Sequence, residues 1–319
     1  MKIAFLHDWT MPINEYLDNE DGLPRAVEVL AEKHQVEWYT GGDALTFPHR
    51  GYILNRVPTE AGLIARLTVQ SPDIIVCWGS LDRPWHRAVH EQFPGTPKVL
   101  CFAGGPREHI AKSYFRVIVV ESQVYLDDFT KAGVTAMRGF GTNTKLFRPL
   151  GLPKVWRAIY PASFCFHKNI ELFARAFEGS GFVVGNHNET AIVSKLIQLR
   201  TPHAHRVSSQ VLCDFYNASH CTVLTGGPDS GCQRAVLESM ACGIPVVVMR
   251  DNDKCAEFVR DSGFGRICHP IDVEIRAAVE ELLESPPDKN IGVEYIKANW
   301  SEYQYANSLL RACEKAMLN

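Results

Sequence analysis

The sequence has no long apolar run. No stretch approaches the roughly 18 apolar residues of a membrane-spanning helix, so no span is expected. The apolar start Met1-Lys2-Ile3-Ala4-Phe5-Leu6 is closed at once by His7-Asp8, too short for a secretory signal. There is no excess of either charge. Lys and Arg total 33, Asp and Glu 36, and the formal net charge is −3. That balance excludes bulk electrostatic capture of nucleic acid or anionic lipid, although not a local basic patch. The ten cysteines form no C-x-x-C pair and no paired metal spacing. Several lie inside apolar runs, such as Cys77 in IIVCW and Cys242 in SMACGIP. Buried, reduced thiols are expected, which fits a cytoplasmic location. Internal repeats and low-complexity segments are also lacking.

What is present is an ordinary globular composition. Of 319 residues, 46% are hydrophobic and 22% charged, which excludes a disordered chain. The length suits two domains. Short apolar runs alternate with helical patterns throughout. Strands are expected at Lys2–Leu6, Val36–Tyr39, Asp73–Trp78, Lys98–Phe102 and Arg116–Val120, with a helix at Leu23–Lys33. The run VIVV at 117–120 is apolar on both faces, as a central parallel strand must be.

A second series of strands is expected at Arg157–Tyr160, Phe182–Val184, Cys221–Leu224 and Pro245–Met249. Helices are expected at Asn169–Phe177 and at Gln233–Cys242. The latter is stopped by Gly243, with Pro245 beyond. This alternation predicts two doubly wound α/β domains. The segment Phe147-Arg148-Pro149-Leu150-Gly151-Leu152-Pro153 breaks regular structure. It sets the expected organisation at 1–150, 151–300 and a C-terminal helix in 301–319 that packs back across the junction.

The most informative stretch runs from Thr225 to Val248: strand end, glycine-rich loop, helix, strand. The loop at Asp229–Cys232 falls where a helix N-terminus exposes backbone N–H groups, which attract phosphate or a sugar hydroxyl. Glu238 lies between Leu237 and Met240 on an apolar helix, where a carboxylate needs a partner. A ribose diol is one candidate. An ordinary solvent-facing helix glutamate is the alternative.

LESMACGIPVVV resembles the LEAMACGxPVV signature of glycosyltransferases of the glycogen-synthase and mannosyltransferase-like class, the glycosyl transferases group 1. Gly139-Phe-Gly-Thr-Asn-Thr-Lys-Leu-Phe-Arg-Pro149 is similar to that family's interdomain segment. Phe164-Cys-Phe-His-Lys168-Asn-Ile170 is similar to its lysine element. Val211–Leu224 resembles the stretch before its glycine-rich loop. The four matches keep the family's order.

The resemblance implies the GT-B fold, with two Rossmann-like domains facing a cleft. It implies transfer of a sugar from a nucleoside-diphosphate donor, with retention of configuration and without a bound metal. It further implies that Glu238 holds the donor ribose and that Lys168 neutralises the diphosphate. A lysine just before a helix start opposes the helix dipole, and an anion between them resolves the conflict; a merely solvated lysine is the alternative.

The sequence also departs from the family. The family's first glutamate falls at Ser230, with Asp229 one position away. The family's arginine falls at Ser163, and Arg234 is the one stand-in considered. The implied donor-side set is Gly22, Ser163, Lys168, Asp229, Ser230, Gly231, Cys232, Gln233 and Glu238, with activity resting on Lys168 and Glu238. Asp21-Gly22 takes the place of the family's Gly-Gly pair, and a plain helix-start turn is the alternative. On the acceptor side the candidates are Asp8, Gly104, Gly105 and His109. The family's histidine after the fourth strand is replaced by Ala103 or Gly104.

His86 and His90 share a helix spacing, and His203-Ala-His205 sits in an expected loop. Neither has a third ligand, so no metal is expected. No cofactor is expected either, since the nucleotide sugar, with UDP as the first choice of nucleotide, is a substrate. The acceptor is left among glycans, lipid-linked saccharides, small molecules and modified nucleic-acid bases. The basic and aromatic segment Phe47–Arg56 is read as a surface loop in preference to a nucleic-acid or membrane-headgroup contact. The alternative functions are a nucleotide-sugar-binding pseudo-transferase without turnover and a nucleotide-sugar epimerase.

Overall fold

The computed structural model describes residues 1–10, 20, 22–104, 110–231 and 233–318. The chain forms two compact units, Met1–Gly141 with Glu302–Asn319, and Thr142–Ser301.

Among the described residues, the first unit carries an eight-stranded sheet. Its strands are β1 (Lys2–Thr10), β2 (Gln35–Gly41), β3 (Leu45–His49), β4 (Tyr52–Val57), β5 (Ile74–Gly79), β6 (Lys98–Phe102), β7 (Val117–Val120) and β8 (Ala136–Arg138). The spatial order is β3-β4-β2-β1-β5-β6-β7-β8. Neighbours are parallel except for the antiparallel β3/β4 pair. The central strands are buried on both faces, including every residue of β6 and β7. This is why they read as unbroken apolar runs. The segment Phe47–Arg56, expected to be a loop, is instead most of a β-hairpin on the sheet edge. Pro48 fits there because one side of an edge strand needs no ladder partner.

The second unit holds β9 (Trp156–Pro161), β10 (Gly181–Val184), β11 (His203–Ala204), β12 (Ser219–Leu224), β13 (Val246–Met249) and β14 (Gly265–Cys268). They order as β11-β10-β9-β12-β13-β14, all parallel. Both sheets are doubly wound. In each, the chain turns to opposite sides from one central strand: β1 between β2 and β5, and β9 between β10 and β12. The crevice beyond the carboxyl ends of those strands is where such sheets bind ligands.

The units divide at Gly141, ahead of the proline-rich segment that sets the expected boundary at 150. The reason is local bonding. Thr142 N–H donates to Trp300 O at 2.8 Å. Leu150 N–H donates to Asn217 Oδ1 at 2.8 Å, and Asn217 Nδ2 donates to Arg148 O at 3.0 Å. These bonds tie 142–150 to the second unit. The C-terminal helix Glu302–Leu318 belongs to the first unit, where it packs against the helix Gly22–Ala31 and against β7.

Candidate functional site

The carboxyl ends of β9 and β12 bring the two donor-side elements of the sequence together. Lys168 follows β9, in a single 3-10 turn at Phe166–Lys168. Its backbone is held from two strands. Tyr160 OH donates to Lys168 O. Thr225 Oγ1, at the end of β12, donates to Asn169 O at 2.8 Å and to Lys168 O at 3.4 Å. Asn169 itself takes a left-handed conformation, φ +51°, before the helix Ile170–Ala176. That helix has only seven residues. The turn that places Lys168 is therefore better explained by these carbonyl clamps than by the dipole of a long helix.

The glycine-rich loop faces this lysine. A side-chain carbon placed on Gly231 would lie 3.9 Å from Lys168 Nζ and 3.2 Å from Gln233 Oε1. The ammonium thus stands at the loop that leads into the helix Gln233–Ala241. Asp229 is exposed at the loop tip. His167, beside Lys168, is kept below its usual pKa by desolvation first and by the Lys168 charge second, with Glu189 and Asp229 opposing. Lys168, His167 and Asp229 therefore share one electrostatic neighbourhood.

Glu238 is 5% exposed, among the buried Val236, Leu237 and Met240. A carboxylate there needs a partner. Tyr216 OH supplies one, donating to Glu238 Oε2 at 2.9 Å. Tyr216 is fully buried on the helix Ser209–Asn217. No sequence pattern marked it, because the bond joins residues 22 apart on two helices.

Ser230 packs inside the glycine-rich loop. It is fully buried, and its N–H donates to Gly227 O at 2.9 Å. Its Oγ donates to Gly231 O at 3.4 Å and lies 2.1 Å from where a Gly226 side chain would begin. These bonds fold the loop back on itself at Ser230. Ser163 lies in the β9 loop, where its carbonyl accepts from Cys165 N–H at 2.9 Å. That loop is pressed against the end of β10. A side-chain carbon on Gly185 would meet Ala162 O at 1.9 Å, so only glycine fits.

The sheet edge also gathers three imidazoles. His187, after β10, stacks on Phe164 with centroids 4.5 Å apart. It lies 4.6 Å from His205 and 5.8 Å from His203. Burial, and then the charge of His205, holds His187 below its usual pKa. The His203-Ala-His205 segment is not a free loop, since His203–Ala204 is the edge strand β11. Among the described residues, no group of three or more His, Cys, Asp or Glu is arranged to hold a metal ion.

In the first unit, Asp8 lies at the carboxyl end of β1. Its Oδ2 accepts from Trp85 N–H at 3.2 Å, at the start of the helix Pro84–Gln92. The adjacent His7, unmarked in the sequence, is edge-on to Trp78 at 4.5 Å. Burial first, and the Arg83 charge second, push its pKa down to about 4. Gly22 is the buried first residue of its helix. Gly104 has φ +101°, a backbone form that suits glycine. Asp21, Gly105, His109 and Cys232 lie outside the described residues. His86, by contrast, is a core residue: it is fully buried, edge-on to Phe115 at 5.3 Å, and desolvated to a pKa of about 4.

Residues 162–285, within the second unit, match the family model described as glycosyl transferases group 1. No curated protein matches the chain in sequence. Solved structures share its fold over their whole length. Sucrose-phosphate synthase from Thermosynechococcus elongatus superposes with a TM-score of 0.77 at 14% identity, covering 99% of each chain. A glycosyltransferase from Rickettsia africae gives 0.76 at 11% identity, covering 100% of this chain and 99% of the other. Anabaena HepE, in complex with UDP and glucose, gives 0.68 at 14% identity, covering 98% of this chain and 99% of the other. The architecture is that of GT-B glycosyltransferases.

Proposed function

We propose that the protein transfers a sugar from a nucleoside-diphosphate donor to an acceptor, with the donor seated beyond the carboxyl ends of β9 and β12. One observation carries this reading. The Lys168 ammonium stands against the Gly231 loop, at the start of the helix that carries the buried Glu238. An anion there meets a cation and the positive end of a nine-residue helix together. Glu238, oriented by Tyr216, suits a vicinal diol such as the donor ribose. UDP is the first nucleotide to test, because a structure of the same fold binds UDP and glucose.

In this account most of the catalysis is electrostatic. As the glycosidic bond breaks, charge develops on the departing diphosphate, and Lys168 and the loop N–H groups stabilise it. The departing phosphate oxygen then takes the proton of the attacking hydroxyl, which accounts for retention without a metal. The described groups of the first unit that fit an acceptor hydroxyl are Asp8 and the neutral His7. Among the described residues no helix is long and apolar enough to cross a membrane. The acceptor we propose is a glycan, a lipid-linked saccharide, a small molecule or a modified base, and the proposed location is the cytoplasm.

A second reading, a nucleotide-sugar binder without turnover, is favoured by two features. Ser163 offers no charge, and Ser230 is buried within its own loop. Incubating the purified protein with UDP-sugars decides between the two. Release of UDP, or transfer to an added acceptor, supports the transferase and eliminates the binder. UDP binding with no release over many hours contradicts turnover.

A further inference from the structure

We infer that Asn252 is a positioning residue for the donor diphosphate, an assignment that rests on the donor-site reading above. Asn252 lies between β13 and the helix Asp253–Ser262 and is 1% exposed. Its backbone carbonyl starts that helix, accepting from Cys255 N–H at 3.0 Å and Ala256 N–H at 2.9 Å. Its side chain reaches across to the glycine-rich loop. Nδ2 donates to Gly226 O at 3.0 Å and to Ser230 O at 3.1 Å. One amide thus holds both ends of the loop.

The consequence follows from peptide geometry. In a trans peptide the carbonyl of one residue and the N–H of the next point in opposite directions. With Gly226 O and Ser230 O turned toward Asn252, the N–H groups of Gly227 and Gly231 point away from it. Among the described residues neither N–H meets an acceptor. Gly231 is also the residue that faces Lys168 Nζ. Two aimed N–H donors beside an ammonium make a nest for phosphate oxygens.

The Asn252 amide adds to the loop's own bonds and to Cys255 Sγ, which donates to Gly231 O at 3.8 Å. The Ser230 side chain fills the space where a Gly226 side chain would stand, and the turn between them is closed by one backbone bond, Ser230 N–H to Gly227 O. The side chain must also be an amide. The two carbonyls require a donor with two hydrogens. An aspartate of the same shape would set a carboxylate against both. Among the described residues, Asn252 Oδ1 is buried without a partner, which is a cost. The side chain is therefore spent on the loop rather than on its own complete hydrogen bonding.

The test compares the full-length protein with Asn252→Ala and with the isosteric Asn252→Asp, by calorimetric titration of UDP, UMP and inorganic pyrophosphate. Both variants are expected to bind UDP and pyrophosphate at least tenfold more weakly. UMP affinity should change less than threefold, because the second phosphate is the group the nest holds. A purely structural role lowers the melting temperature but leaves the UDP-to-UMP affinity ratio as in the wild type, and that result overturns the inference. Asn252→Asp supplies the second variant if Asn252→Ala does not fold. Hydrogen exchange of the ligand-free proteins gives an arm that needs no donor. The Ser230 amide should exchange faster in the variants while β13 amides do not, and equal exchange contradicts the pinning. If wild-type protein binds neither UDP nor pyrophosphate, the donor-site reading fails and takes the inference with it. If it binds both and the variants match it, the inference alone is lost.

Discussion

The Tyr216 hydroxyl donates to the Glu238 carboxylate at 2.9 Å, inside the second unit. This bond lets a carboxylate lie on an otherwise apolar helix face, and it turns one oxygen inward and fixes the orientation of the group. A hydrogen bond to a charged acceptor contributes about 1.5–3 kcal/mol, and leaving a buried partner unpaired costs a similar amount. Tyr216→Phe should therefore lower unfolding stability by about 2 kcal/mol. It should also weaken nucleotide binding several-fold, because Glu238 loses its orientation. Denaturant unfolding and UDP titration of the variant check both effects. Unchanged binding would assign Tyr216 to the core alone.

Lys168 presents the opposite case. Its backbone carbonyl is clamped, but its half-exposed side chain extends to the Gly231 loop. Lys168→Ala should reduce turnover or donor affinity at least tenfold, about 1.4 kcal/mol. The melting temperature of the ligand-free protein should hardly move. Arginine should restore part of the loss. Steady-state kinetics beside a thermal melt separate the two quantities.

His7 and His86 predict a pH dependence of stability. Both are pushed down to about 4 by burial, below the usual 6.5 of the unfolded chain. Between those values the unfolded chain binds more protons than the folded one, so stability rises with pH. The stabilisation is present above about pH 6.5 and is lost as the pH falls toward 4. Urea midpoints should fall steadily across that window. The double change His7→Asn, His86→Gln should flatten the slope there, and an unchanged slope would place the effect on other groups.

Gly185 is a steric prediction. A methyl group there would meet Ala162 O at 1.9 Å, which is impossible without moving the β9 loop. Gly185→Ala should destabilise the protein by roughly 2–3 kcal/mol, in the range of overpacking and backbone strain. It should also weaken nucleotide binding, since the same loop leads to Lys168. Chemical denaturation and UDP titration measure the two consequences.

Much of the fold was legible because parallel strands buried on both faces read as unbroken apolar runs, and Gly243 and Pro245 mark the end of the Glu238 helix. The hairpin at Leu45–Val57 was not legible, because Pro48 and the exposed edge positions break the apolar pattern. The two-residue β11 is too short to leave one. On the site, local order placed Lys168 and the Gly231 loop in separate segments, and β9–β12 pairing brings them together. Tyr216 and Asn252 reach Glu238 and the glycine-rich loop only through tertiary packing, so no spacing announces them. Ser230 was legible as a departure from the family pattern. Its burial within the loop was not, because that depends on the missing side chain at Gly226.

The most direct test of the account is a thermal-shift panel of UDP, GDP, ADP, dTDP and CMP on the wild type and on Glu238→Ala. A ligand at about 100 times its Kd adds roughly 2.7 kcal/mol, a shift of several degrees for a protein of this size. The account predicts such a shift with one nucleoside diphosphate, UDP first, and its loss in the variant. A wild-type protein whose melting temperature moves with none of them, or a Glu238→Ala variant that responds as the wild type does, would contradict the donor site drawn here.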